Sequence, residues 1–268
     1  MTSRDMLALA AILLLGVPHG GLDGAIARRV GWPSGLMSWL SFHLAYIALA
    51  VLVTALWWLF PLISLGVFLL ISALHFGASD IANTGTDWLP WIAHGGLVCI
   101  AIPNLQPGLV EPIFTVLVNA DNARLLMEAI ASLLYLWVAA VIAYCGYAFF
   151  LPQYRKPLFS LLLLIALVYL LPPLISFAMY FCLWHSPGHM LRLWRSLEQT
   201  ERKRSFGEAG FYTGATWIAM GLAFYYLQDP AFSSLLQLTF IGLAALTLPH
   251  MLLVDFADRK SNNREELP

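Results

Sequence analysis

An all-α, polytopic transmembrane helix bundle of about eight to nine spans is the fold this sequence predicts. Three observations lead there. Of 268 residues, 60% are hydrophobic and only 11% charged, against about a quarter charged in soluble domains. The apolar residues fall in runs of roughly twenty, the length at which a helix crosses a bilayer. The ionisable groups within those runs include all seven histidines, five of them in motifs: His19 in GVPHGGLD, His75 in ALHFGASD, His185 and His189 in CLWHSPGH, and His250 in LPHMLLVD. Such groups are costly at membrane depth and face a protein interior where they have a function.

Spans are expected near 5–27, 35–60, 62–80, 88–103, 123–150, 157–171, 174–192, 208–227 and 232–256. Pro61 follows Phe60 directly and makes a tight break between the second and third. Pro172-Pro173 divides the sixth from the seventh, and the stretch from Pro103-Asn104 to Asp121 is the longest polar connection. Residues 1–256 are read as one transmembrane domain with an intramembrane metal site, and 257–268 as a short polar cytoplasmic tail. The first 27 residues resemble a signal peptide, with Ala25-Ile26-Ala27 as a cleavage site. Asp5 offsets Arg4, however, and Arg28-Arg29 follow at once, which suits a retained helix better.

Basic residues cluster at Arg28/Arg29, Arg155/Lys156, Arg192–Arg204 and Arg259/Lys260. With nine spans and the N-terminus outside, the positive-inside rule places every cluster, and the C-terminus, in the cytoplasm of a cell (inner) membrane. The five motif histidines then lie near the ends of odd-numbered spans, in one layer of the cytoplasmic half. A net charge of −1 excludes the basic patch that a nucleic-acid partner requires. The spacing of Cys99, Cys145 and Cys182 fits neither a disulfide framework nor a zinc motif.

His185 and His189 are four residues apart, so both imidazoles leave one helical face and suit one metal ion. Imidazole ligation suits zinc, copper, iron or nickel. Ligating histidines pass their second N–H to a carboxylate or carbonyl. Asp23 follows His19 by four residues, Asp80 follows His75 by five, and Asp255 follows His250 by five. These acids are candidates for that supporting role, with interfacial helix-end acids as the plainer alternative. Cys182 shares the face of His185 and His189 but reads as a packing residue. His43 and His94 read as polar packing or cavity-lining groups. Phe76, Tyr180, Phe181, Trp184, Phe211, Tyr212 and Trp217 are ordinary core aromatics, or the lining of a tunnel if the substrate is long and apolar.

The ordered set GVPHGGLD, HFGASD, HSPGH and LPHMLLVD, spanning residues 16 to 255, resembles the Brp/Blh family of membrane β-carotene 15,15′-dioxygenases, which is related to a protein needed for bacteriorhodopsin production. The resemblance implies an Fe(II) enzyme that splits the central double bond of all-trans-β-carotene with O2 into two molecules of retinal. It implies iron ligands at His19, His75, His185 and His189, with His250 in a motif of unassigned role. Four imidazoles would leave the ion two further positions. A retinal-binding rhodopsin is an implied downstream consumer. Gly21 and Gly188 depart from the family pattern, where alanine and a larger residue are expected.

Four rival readings stand beside this one. A di-iron desaturase needs more histidines than the seven present. A metal or proton transporter needs polar groups through the whole bilayer depth, whereas the outer halves of these spans are nearly bare of ionisable groups. An opsin-assembly factor, or a dioxygenase acting on another carotenoid, would share the same hydropathy pattern.

Overall fold

A computed structural model describes residues 2–32, 35–81, 87–227 and 230–265, with side chains described except at 255, 256 and 258–265. Every regular element among these residues is a helix: α1 (Ser3–Arg29), α2 (Leu36–Leu59), α3 (Pro61–Asp80), α4 (Trp88–Leu105), α5 (Pro107–Val118), α6 (Ala120–Phe150), α7 (Pro152–Leu170), α8 (173–196), α9 (Gln199–Tyr226) and α10 (Ala231–Glu265). Seven are long and apolar enough to cross a membrane: α1–α4, α6, α7 and the Ala231–Val254 part of α10. The chain is therefore a multi-pass membrane protein. Apolar side chains such as Leu44, Ile47 and Val51 on α2 are 65%, 58% and 62% exposed, as lipid-facing residues are.

Helix boundaries follow the breakers. Phe60 alone separates α2 from α3, and Pro172 with Pro173 ends the run after Leu170. The expected polar connection after Pro103 is instead mostly helix. In α5 the buried residues Val110, Ile113, Phe114 and Leu117 recur at the i, i+3, i+4, i+7 spacing of an amphipathic helix. Glu111 and two prolines masked that pattern. Asn119, at φ 71°, makes the turn into α6 and accepts from the Asn122 N–H.

The chain forms two compact units. The first comprises the start of the chain through Ala11 and Phe60–Gly188; the second comprises Ile12–Leu59 and the chain from His189 onward. In the first, small residues bring helices together, as is usual where lipid gives no hydrophobic drive. A Cβ on Gly95 would stand 2.1 Å from the Ala73 carbonyl oxygen, one on Gly77 2.0 Å from Trp91, and one on Gly96 2.1 Å from Trp137. At the same crossings the Trp91 indole donates to the Leu74 carbonyl (2.6 Å) and the Trp137 indole to that of Ala93 (3.0 Å). In the second unit the segment Val17–Leu22 packs on α9. A Cβ on Gly21 would come 3.1 Å from that of Ala209, which accounts for glycine where alanine was expected.

Polar contacts gather at helix ends. In the second unit Arg28 pairs with Glu208 (2.5 Å) and Ser205, and Arg29 donates to Ser196. In the first, Tyr147 (2.5 Å) and Tyr154 both donate to Asp87. These two phenols, Tyr147 foremost, hold the Asp87 carboxyl below its ordinary value of 3.8.

Two outcomes follow from this packing. Gly95→Ala should lower thermal stability in detergent by about 1–3 kcal/mol, because backbone rather than a flexible side chain must move. Gly146→Ala, with open space around it, should leave the melting temperature unchanged. Because the folded carboxyl of Asp87 is depressed, its contribution is full above the unfolded value and is lost as pH falls through the folded one. An acid titration of Asp87→Asn should accordingly show a smaller loss of stability below about pH 4 than the parent shows.

Candidate metal centre

Two buried polar constellations, one in each unit, interrupt the apolar interior. In the first unit α3 carries His75 and Asp80, and α8 carries Tyr180, Phe181 and His185. The Tyr180 hydroxyl donates to Asp80 Oδ2 at 2.9 Å, and His185 Nδ1 lies 3.3 Å from Asp80 Oδ1. A carboxylate oxygen only accepts, so Nδ1 of His185 is the protonated nitrogen and the ring lone pair lies on Nε2. His94 Nδ1 approaches Asp80 Oδ2 at 3.8 Å. The ring of His75 stands 5.1 Å from that of His185. Phe76 meets His185 edge-on at 4.6 Å, and Phe181 stacks on it at 6.0 Å. His75, His94 and His185 are all buried.

In the second unit three imidazoles form a triangle. Ring centroids are 4.5 Å apart for His19 and His189, 5.0 Å for His19 and His250, and 5.2 Å for His189 and His250. His250 Nδ1 lies 2.7 Å from Asp23 Oδ1, and the Tyr46 hydroxyl donates to Asp23 Oδ2 at 2.8 Å. All three rings and Asp23 are buried.

Local backbone irregularity marks these positions. Among the described residues there are three π-helical turns. Ile12–Gly16 leads into the 3-10 segment that carries His19, Leu97–Ala101 follows the glycines after His94, and Tyr180–His185 ends on a histidine. Such turns are frequent at functional sites. Pro187 lies inside α8, two residues beyond the π-helical turn that ends at His185, where the irregular backbone tolerates its missing N–H. Pro249 lies inside α10 directly before His250.

The expected residues are thus placed as follows. Asp23 and Asp80 do support histidines, but not their sequence neighbours. Four residues along a 3-10 segment turn the chain about 120° away from the starting face, and five along an α-helix turn it about 140° away. So Asp23 meets His250 rather than His19, and Asp80 meets His185 and His94. The side chain of Asp255 lies outside the described residues. Phe76, Tyr180 and Phe181 are buried around His185, whereas Trp184 and Phe211 are 42% and 67% exposed. The Tyr212 hydroxyl meets His43 Nε2 at 2.7 Å. The Cys182 thiol turns to the Ala11 carbonyl, a packing contact.

Tyr46 and His94 were not legible as members of these networks. Tyr46 stands in the featureless apolar run LAYIALAV. For His94 a signal existed: His94-Gly95-Gly96 repeats His19-Gly20-Gly21.

The donor set fits a first-row metal. A metal–nitrogen bond of about 2.1 Å puts a ring centroid about 3.2 Å from the ion, so two ligands at 90° or 109° have centroids about 4.5 or 5.2 Å apart. The three separations in the second unit and the His75–His185 separation fall within that range.

Buried histidines oriented by carboxylates inside apolar helices define a class: multi-pass membrane proteins with a histidine-rich polar interior suited to a metal ion. Residues 10–258 match the family model described as beta-carotene 15,15′-dioxygenase, and the chain belongs to that family. It is 34% identical over 273 residues to a beta-carotene 15,15′-dioxygenase from uncultured marine bacterium 66A03, covering 97% of this chain and 96% of the relative. It is 24% identical over 302 residues to a probable beta-carotene 15,15′-dioxygenase, Blh, from Halobacterium salinarum (strain ATCC 700922 / JCM 11081 / NRC-1), covering 96% and 85%. No solved structure matches.

Replacing Asp80 removes the acceptor that Tyr180 and His185 share, each loss leaving a buried donor at about 1–3 kcal/mol. Asp80→Ala should therefore melt well below Tyr180→Phe in a detergent thermal scan. Equal melting temperatures would contradict the shared network.

Proposed function

We propose that this protein cleaves the central 15,15′ double bond of all-trans-β-carotene with O2, giving two molecules of all-trans-retinal. The iron, Fe(II), is held by His19, His75, His185 and His189. One observation carries this reading: buried imidazoles at ligand-like separations, inside apolar helices of a chain that belongs to the β-carotene 15,15′-dioxygenase family. When bound, Fe(II) supplies the one-electron chemistry that lets triplet O2 react with a closed-shell alkene. Both oxygen atoms leave in the two aldehydes, so no external reductant is required.

The chain's own residues prepare that reaction. Asp80, itself held by Tyr180, fixes His185 in the tautomer that offers Nε2, a support that raises ligand basicity. Phe76, edge-on, and Phe181, stacked, pack against His185 and keep water from the reacting atoms. A long hydrocarbon dissolved in the bilayer enters laterally. The exposed Trp184 and Phe211 suit the entry, and Phe76, Tyr180, Phe181 and Tyr212 suit the passage. We place residues 1–256 as one working domain in the cell (inner) membrane, N-terminus outside, with 257–268 on the cytoplasmic side. Arg28 joined to Ser205 and Glu208 supports one side for the ends of those helices. The retinal produced would supply a rhodopsin.

Expression in a bacterium that accumulates β-carotene tests the reading. Loss of yellow colour with appearance of retinal is expected; unchanged carotene with correctly inserted protein would overturn it. His185→Ala should abolish both bound iron and retinal formation while the protein stays in the membrane.

A further inference from the structure

We infer that His250 is itself a metal ligand, binding through Nε2 beside His19 and His189, with Asp23 and Tyr46 as its positioning residues. The inference rests on the reading that the histidine set holds iron, and adds a residue to that set.

The argument starts from two hydrogen-bond chains of the same construction. In one, Tyr180 donates to one oxygen of Asp80 and His185 Nδ1 lies on the other (2.9 and 3.3 Å). In the other, Tyr46 donates to one oxygen of Asp23 and His250 Nδ1 lies on the other (2.8 and 2.7 Å). Each chain fixes its histidine as the Nδ1–H tautomer with the lone pair on Nε2, the state a ligating histidine supported by a carboxylate adopts. His185 is a proposed ligand, and His250 is held the same way over a shorter contact.

The surroundings of His250 agree. It is 3% exposed, and its ring lies 5.0 and 5.2 Å from those of His19 and His189. Imidazoles sharing one ion at octahedral to tetrahedral angles have centroids about 4.5 to 5.2 Å apart, and the three centroid separations of this triangle fall in that range. Asp23 is in turn placed by local structure, one residue beyond the 3-10 segment bearing His19. Pro249, which removes a helical N–H just before His250, loosens α10 where the ring must be aimed.

Metal binding in the purified, detergent-solubilised full chain tests this without recourse to activity. Fe(II) and Co(II) are titrated into the parent, His250→Ala and Asp23→Asn, following stoichiometry, affinity and the visible ligand-field bands of bound Co(II). The parent should bind one ion per chain. Asp23→Asn should bind about 10–100-fold more weakly, and His250→Ala more weakly still, with altered Co(II) bands that added imidazole restores. A parent that binds no metal defeats the iron reading itself. A His250→Ala protein with the parent's affinity and Co(II) spectrum defeats this inference alone and leaves the four-histidine reading intact. Tyr46→Phe, which keeps the apolar volume, guards against misfolding. It should bind Co(II) more weakly than the parent with unchanged bands, and parental affinity would remove Tyr46 from the positioning set.

Discussion

The structure depends on two buried carboxylates. Asp23 and Asp80 stand inside helices that are otherwise nearly free of charge, and a carboxylate there survives only when its lone pairs are taken up. Each is met by a tyrosine on one oxygen and a histidine on the other. The tyrosine and the acid then fix which nitrogen of the ring carries the proton. A buried acid that is expensive as a structural element thus becomes the device that aims an imidazole.

Close helix packing makes these contacts possible. Gly77, Gly95 and Gly96 bring backbone and indoles of the first unit within distances no larger residue permits, and this packing surrounds His75, Asp80 and His94. Gly21 plays the same part in the second unit, seating the His19 segment against Ala209. The π-helical turns beside His19 and His94 and ending at His185 shift the register of side chains along a helix. They let irregular motifs such as HGG sit in spans long enough to cross a bilayer.

Much of this was legible in the sequence, for a physical reason. Hydropathy runs and proline breaks report directly on helices in lipid, so the all-α multi-pass fold and the boundaries at Phe60 and Pro172 could be read. Histidines are conspicuous in such runs, so the five motif residues stood out as candidates. What hid was partnership across helices. Asp23 and Asp80 were recognisable as supports, but their histidines, His250 and His185, lie far away in sequence. Tyr46 carries no local signal at all. In α5 the period of Val110, Ile113, Phe114 and Leu117 was masked by prolines and a glutamate.

In the proposed reaction the iron held by this histidine set delivers both atoms of O2 to one double bond. Purified iron-loaded protein, given β-carotene under 18O2, tests it most directly if the aldehydes are reduced at once to retinol to stop exchange with water. One 18O is expected in each of the two retinol molecules derived from a carotene. Label in only half of the product, label drawn from water, or no cleavage by a protein that holds iron would contradict it.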